Sequence, residues 1–175
     1  MGAATIAGIT AVLGVLLGGG IRAYEAAHAR KLESASVLSA ICAEVEAINR
    51  LANHRQFLAG FLLHRQLNAD LVAKGHGNEP AQWLVLELTQ NYFATYDALL
   101  PKLGLLHPYF NDRITRFYTY AKAVTENYRP NSAWQLNATA AMAVEALDND
   151  ITLLQTMHTL GEHIASFRKA APPGG

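Results

Sequence analysis

Between Arg22 and Lys74 the chain contains no proline and one glycine, Gly60. A stretch this long without breakers can run as helix, and its apolar residues recur at helical spacing: Leu38, Ile41, Val45, Ile48, Leu51, Leu58, Phe61, Leu62, Leu67 and Leu71. "KGHGN" supplies a stop, with Gly75 placed to cap the C-terminus. No alternating apolar–polar run flanked by hairpin turns occurs anywhere. The expected fold class is therefore all-α.

Three further helices follow from stop and start signals. "NEPAQW" opens one at about 79–99, with Asn78 as N-cap, Pro80 in the first turn, and Val85, Leu88, Tyr92, Tyr96 and Leu99 on its inner face. Pro101 ends it. Pro108 opens the next, over 108–128, where Phe110, Ile114, Phe117, Ala121, Val124 and Tyr128 alternate spacings of four and three. "RPNSAWQ" breaks that pattern, and Ser132 with Gln135 has the spacing of a capping box for a last helix over 133–169. Short connectors imply antiparallel neighbours. The expected architecture is an antiparallel four-helix bundle with two long helices (34–74 and 133–169) and two short ones. Leu103, Leu105 and Leu106 are expected to fold against the long pair.

The N-terminus asks for a different setting. No charged side chain occurs from Gly2 to Ile21. Twenty helical residues span ~30 Å, the thickness of a bilayer core. No Lys or Arg precedes the run, as a cleaved export signal would require, and Gly18–Gly20 would weaken a water-soluble core helix. The segment reads as an uncleaved signal-anchor. Ala4, Ala7, Ala11, Gly14 and Gly18 share one face, and such small-residue stripes let helices pack closely in lipid. Arg22, Arg30 and Lys31 follow the span, which by the positive-inside bias places the body of the chain in the cytoplasm. Arg168 and Lys169, on a helix returning toward the bilayer, are expected to join them as a basic membrane-surface group. The domain division is 1–22 anchor, 23–33 juxtamembrane helical linker, 34–170 cytoplasmic bundle and 171–175 disordered tail.

Composition narrows the chemistry. Fourteen basic side chains balance 14 acidic ones, without the excess a nucleic-acid surface needs. Only 16% of residues are charged, low for a fully solvated helical protein and suited to a membrane-attached one. A single cysteine, Cys42, excludes an intrachain disulfide and a thiolate zinc cage, and its small neighbours make it a buried apolar residue. A di-metal carboxylate bundle needs two Glu-x-x-His pairs and two more Glu. Glu25–His28 is the one such spacing, and it is juxtamembrane. His158 and Glu162 share a face as an i,i+4 pair, which an ion pair explains. Glu145, Asp148 and Asp150 read as a solvated acidic face. No nucleophile elbow or phosphate loop occurs, so no catalytic, cofactor, metal or small-molecule substrate site is expected.

Trp83, Tyr128 and Trp134 fall together at the bundle tip. They either seal the core or form a patch for a protein partner, since aromatics are enriched at interfaces. "YDALLPKLGLL", Tyr96 to Leu106, followed by "RFYTY", resembles a pattern in small bacterial membrane-anchored helical proteins of uncharacterised function. The resemblance implies a bacterial inner-membrane setting and brings no catalytic residue with it. The function expected is a non-enzymatic, single-pass helical bundle that self-associates or binds a membrane protein. A membrane-active effector or pore subunit is the alternative, and a ferritin-like enzyme the more distant one.

Overall fold

The computed structural model describes residues 2–84, 86, 91–130 and 132–170, with the side chains of 2–18, 133–134 and 168–170 left out. The expected tail 171–175 lies outside the described residues, as do Val85 and Leu88 of the expected inner face. Six α-helices are described: α1 (Gly2–His54), α2 (Phe57–Ala73), α3 (Ala94–Leu99), α4 (Pro108–Asn127), α5 (Ala133–Asn137) and α6 (Ala140–Ala170). A 3₁₀ segment, Leu100–Leu105, joins α3 to α4. The all-helical class holds among the described residues, where a lone Pro80–Thr139 bridge is the only sheet-like pairing.

The four-helix plan needs correction. The expected helix 34–74 is broken at Gln56, whose φ of 51° puts a non-glycine residue in the left-handed region. That conformation costs ~1–2 kcal/mol, and no glycine or proline announces it. The expected helix 133–169 is broken at Ala138–Thr139. Ser132 caps α5 through its Oγ, which accepts from Gln135 N–H at 3.3 Å. The box is not reciprocated: Gln135 Nε2 reaches across to the Leu84 carbonyl at 3.4 Å. Thr139 restarts the helix, with its Oγ1 accepting from Met142 N–H. Most of the described residues of the expected helix 79–99 are not helical; among them only α3, at its end, is. By contrast, α2 ends as expected. Gly75 takes φ 83°, and the N–H groups of Gly75 and His76 donate to Val72 and Leu71 in a Schellman motif.

α6 is the hub. Cys42 meets Ile164 and Asn49 meets His158, so α1 runs antiparallel to α6. Arg65 meets Asp148, continuing that direction along α2. Tyr109 meets His163 and Tyr128 meets Asp150, so α4 is also antiparallel to α6 and therefore parallel to α1. The chain returns from the top of α2 to the foot of α4 through a strap, of which residues 79–84, 86 and 91–93 are described, then α3 and the 3₁₀ segment. These fill the place expected for a second short helix. Leu103 and Leu106 are buried against the long helices as expected, whereas Leu105 stays exposed.

The core comprises Ile41, Val45, Phe61, Ile114, Phe117, Tyr118, Leu147 and Ile164 among others, all with zero exposure. Cys42 is buried as expected, and its thiol donates to the Ile164 carbonyl at 3.2 Å. α4 is tied to both long helices by buried phenols. Tyr118 OH donates to Glu44 of α1 at 2.6 Å, and Tyr128 OH to Asp150 of α6 at 2.8 Å. The Glu44 carboxylate also accepts the Thr95 and Tyr96 N–H groups, capping α3 from α1.

Candidate interaction surfaces

α1 is one uninterrupted helix that outruns the bundle. Every residue from Gly19 to Glu33 is exposed, including Ile21 at 59%, Tyr24 at 73% and Leu32 at 60%. Tertiary contact begins near Glu33, which pairs with Lys102 of the 3₁₀ segment at 2.8 Å. Residues 23–33, expected as a linker, are therefore continuous with the first bundle helix. Its alanine-rich sequence and the Tyr24–His28 stack suit a helix that must hold without neighbours. Ala4, Ala7, Ala11, Gly14 and Gly18 fall within α1, but their side chains lie outside the described residues. Among the described residues, no helix is long and apolar enough to cross a membrane.

Arg22, Arg30 and Lys31 are all exposed on this bare segment. Arg168 and Lys169 lie on α6 at a level nearer the bundle than Arg22. Counting down from the Cys42–Ile164 contact, α6 brings Arg168 beside about residue 38 of α1. At ~1.5 Å per residue that is ~24 Å along the helix from Arg22 but only ~10–12 Å from Arg30 and Lys31, against a Debye length of ~8 Å. The side chains of Arg168 and Lys169 are outside the described set.

The tip aromatics divide. Tyr128 is 1% exposed; its ring lies 4.5 Å from Phe61 and 5.9 Å from Trp83, and its hydroxyl is spent on Asp150. It belongs to the core and not to a partner patch. Trp83 is half-buried on the same cluster, and the Trp134 side chain is outside the described residues. Burial pushes the Tyr128 and Tyr118 phenols upward in pKa, and the neighbouring carboxylates add to it. Both therefore stay protonated donors.

The acidic face is corrected as well. Asp150 is 5% exposed, and burial raises its carboxyl above the usual range despite hydrogen bonds from Tyr128 and Asn127. Asp148 pairs with Arg65 at 2.9 Å, raising the guanidinium pKa through that hydrogen bond and its charge. Glu145 remains exposed. His158 Nε2 and Glu162 Oε1 meet at 3.4 Å, the i,i+4 pairing expected of them. Among the described residues no three His, Cys, Asp or Glu converge as metal ligands would.

Two features gave no sequence signal. A groove of about 530 Å³ opens at the α1–α2 break, lined by Phe57, Leu58, Leu62, Leu154 and Met157 with Asn53, Gln56 and His158 at its polar edge. It arises from the backbone break at Gln56, which no residue type marks. At the other end Tyr109 is covered by the Arg113 guanidinium at 3.6 Å, bonds His163 at 3.0 Å and packs near Phe167. None of the protein-family models, curated proteins or solved structures compared with the chain matches it.

Proposed function

We propose that this protein is a non-enzymatic, membrane-anchored helical bundle that serves as a self-association or protein-interaction module. The observation that carries the reading is α1. A bare helix leads out of the bundle, and the chain it leads to has no charged side chain between Gly2 and Ile21. Helices in proteins draw most of their stability from packing an apolar face, so a bilayer or another helix is the natural neighbour for its apolar end. Arg22, Arg30 and Lys31 then set the bundle on the cytoplasmic side of a bacterial inner membrane. The exposed part of α1 would hold the bundle ~18 Å above the headgroups, counting twelve residues from Ile21 to Glu33. Self-association would use the Ala4–Ala7–Ala11–Gly14–Gly18 face, with a second membrane protein as the other candidate partner.

Flotation of the full chain with phosphatidylethanolamine–phosphatidylglycerol vesicles tests the anchor. Wild type should float, and Val12→Arg with Leu16→Arg should stay at the bottom, because each buried charge costs ~2.5–3.5 kcal/mol at a span's centre. Equal flotation of both, or of neither, overturns the reading. Crosslinking in the same vesicles tests the packing face. Gly14→Leu with Gly18→Leu should lower the dimer yield, and Val12→Leu with Val15→Leu should not.

A further inference from the structure

Beyond a local bond from Glu79 N–H to the His76 carbonyl, residues 79–84 are held down by other elements. Ala81 N–H donates to the Ala138 carbonyl at 3.1 Å, and Ala140 N–H to the Glu79 carbonyl at 2.8 Å. Both partners exist because the helix is broken at Ala138–Thr139. One step further along, Asn68 of α2 takes both backbone groups of Gln82. Its Oδ1 accepts Gln82 N–H at 2.9 Å, and its Nδ2 donates to the Gln82 carbonyl at 2.8 Å. Asn68 has zero exposure, so neither bond has water as a substitute.

The segment covers one face of α2. Phe61, His64 and Asn68 are spaced three and four apart, and Phe61 is fully buried with its ring against Tyr128. Between them the His64 Nδ1 is buried without a hydrogen-bond partner, a mark of incomplete satisfaction beneath the segment. Leu84 lies so close to Gly60 that a Cβ there would sit 3.2 Å from its Cδ2. The covering chain also has a rival conformation of its own: Asn78 and Pro80 are helix-start residues, and tertiary bonds alone keep the stretch extended. The helices beneath do not depend on it, because α1 and α4 each pack directly on α6.

We propose that Glu79–Leu84 is a latch keyed by Asn68, which releases as one piece and uncovers the Phe61–His64 face of α2 while α1, α4 and α6 remain packed. The latch stands independently of the membrane reading.

Amide hydrogen exchange on the full chain tests it. In Asn68→Ala the amides of Ala81, Gln82 and Ala140 should exchange about tenfold faster or more, the scale of a lost buried hydrogen-bond pair. Those of Ile41–Val45 in α1 and Ile114–Val124 in α4 should be unchanged. If Asn68→Ala does not fold, Gly60→Ala keeps the key and presses a methyl on Leu84 from beneath, and the same selective acceleration is expected. Acceleration spread evenly over latch and helices would make the segment part of one cooperative unit and end the proposal. So would unchanged exchange at Ala81 and Gln82.

Discussion

α4 and the strap that precedes it both begin at a proline and both lie against α6 or its start, yet they are held in opposite ways. α4 satisfies its own backbone. His107 Nδ1 accepts the Tyr109 N–H at its head, the Thr119 and Thr125 hydroxyls return to carbonyls of the same helix, and Tyr109 and Tyr118 bond outward. Its single apolar face then meets α6, and Tyr118 reaches Glu44 of α1. The strap satisfies little of its backbone internally and borrows partners from α2, α4 and the α5–α6 break. The two meet at Tyr128, whose carbonyl accepts Leu86 N–H at 2.9 Å and whose ring packs against Trp83. Helix against helix is a contact of rigid surfaces; strap against helix is a contact through side-chain ends and a few borrowed bonds.

The largest effect should fall on the rigid side. Phe117 of α4 has zero exposure, and Phe117→Ala should cost about 3–5 kcal/mol by urea unfolding. Leu84→Ala in the strap, where the side chain is half-buried, should cost less than half of that. Equal costs would erase the distinction between the two regions.

The same contrast explains what could be read in advance. Helix 108–128 was legible because pattern, proline and cap all act within one segment, and the Schellman stop at Gly75 because glycine is the residue that φ 83° selects. Burial of Cys42 and the His158–Glu162 pair were legible for the same local reason. The strap was not, because its start signals are those of a helix and the groups that override them, Asn68 and Ala138, are distant in sequence. Gln56 in the left-handed region was invisible, since glutamine carries no preference for it. Asp150 looked solvated beside Glu145 and Asp148, but its position on α6 points it at Tyr128. Of the candidate surfaces, the bare α1 segment was partly legible as a linker, and the groove at Gln56 not at all.

A pair of glycines measures the rigidity difference directly. A Cβ on Gly161 of α6 would overlap the amide of Asn49, whose Nδ2 bonds the His158 carbonyl across the α1–α6 contact. Neither helix can give way without losing that bond, so Gly161→Ala should cost about 1–3 kcal/mol. On Gly60 a Cβ meets only the flexible end of Leu84 in the strap. Alanine's better helix propensity, ~1 kcal/mol, offsets that crowding, so Gly60→Ala should leave the unfolding midpoint nearly unchanged. A larger loss for Gly60→Ala than for Gly161→Ala would mean the strap is the stiffer element.

The smallest effect belongs to the joint itself, at Asp150. Its carboxyl is raised chiefly by burial, and the hydrogen bonds from Tyr128 and Asn127 pull the other way without winning. A group whose folded pKa lies above its unfolded value of ~3.9 binds its proton more tightly in the native state. Its contribution to stability is then complete below about pH 4 and is lost as pH rises through the raised pKa. Above that raised pKa the fold carries a charged, poorly solvated carboxylate. Asp150→Asn keeps an oxygen to accept the Tyr128 hydroxyl and removes the charge. The variant should therefore unfold at higher urea than wild type near pH 7, and the gap should close as the pH falls toward 4. A destabilised variant at pH 7 would show that the charge-assisted bond from Tyr128 outweighs desolvation. Tyr128 would then be held by its carboxylate as firmly as α4 is held by its apolar face, and the joint would belong to the rigid side of the molecule.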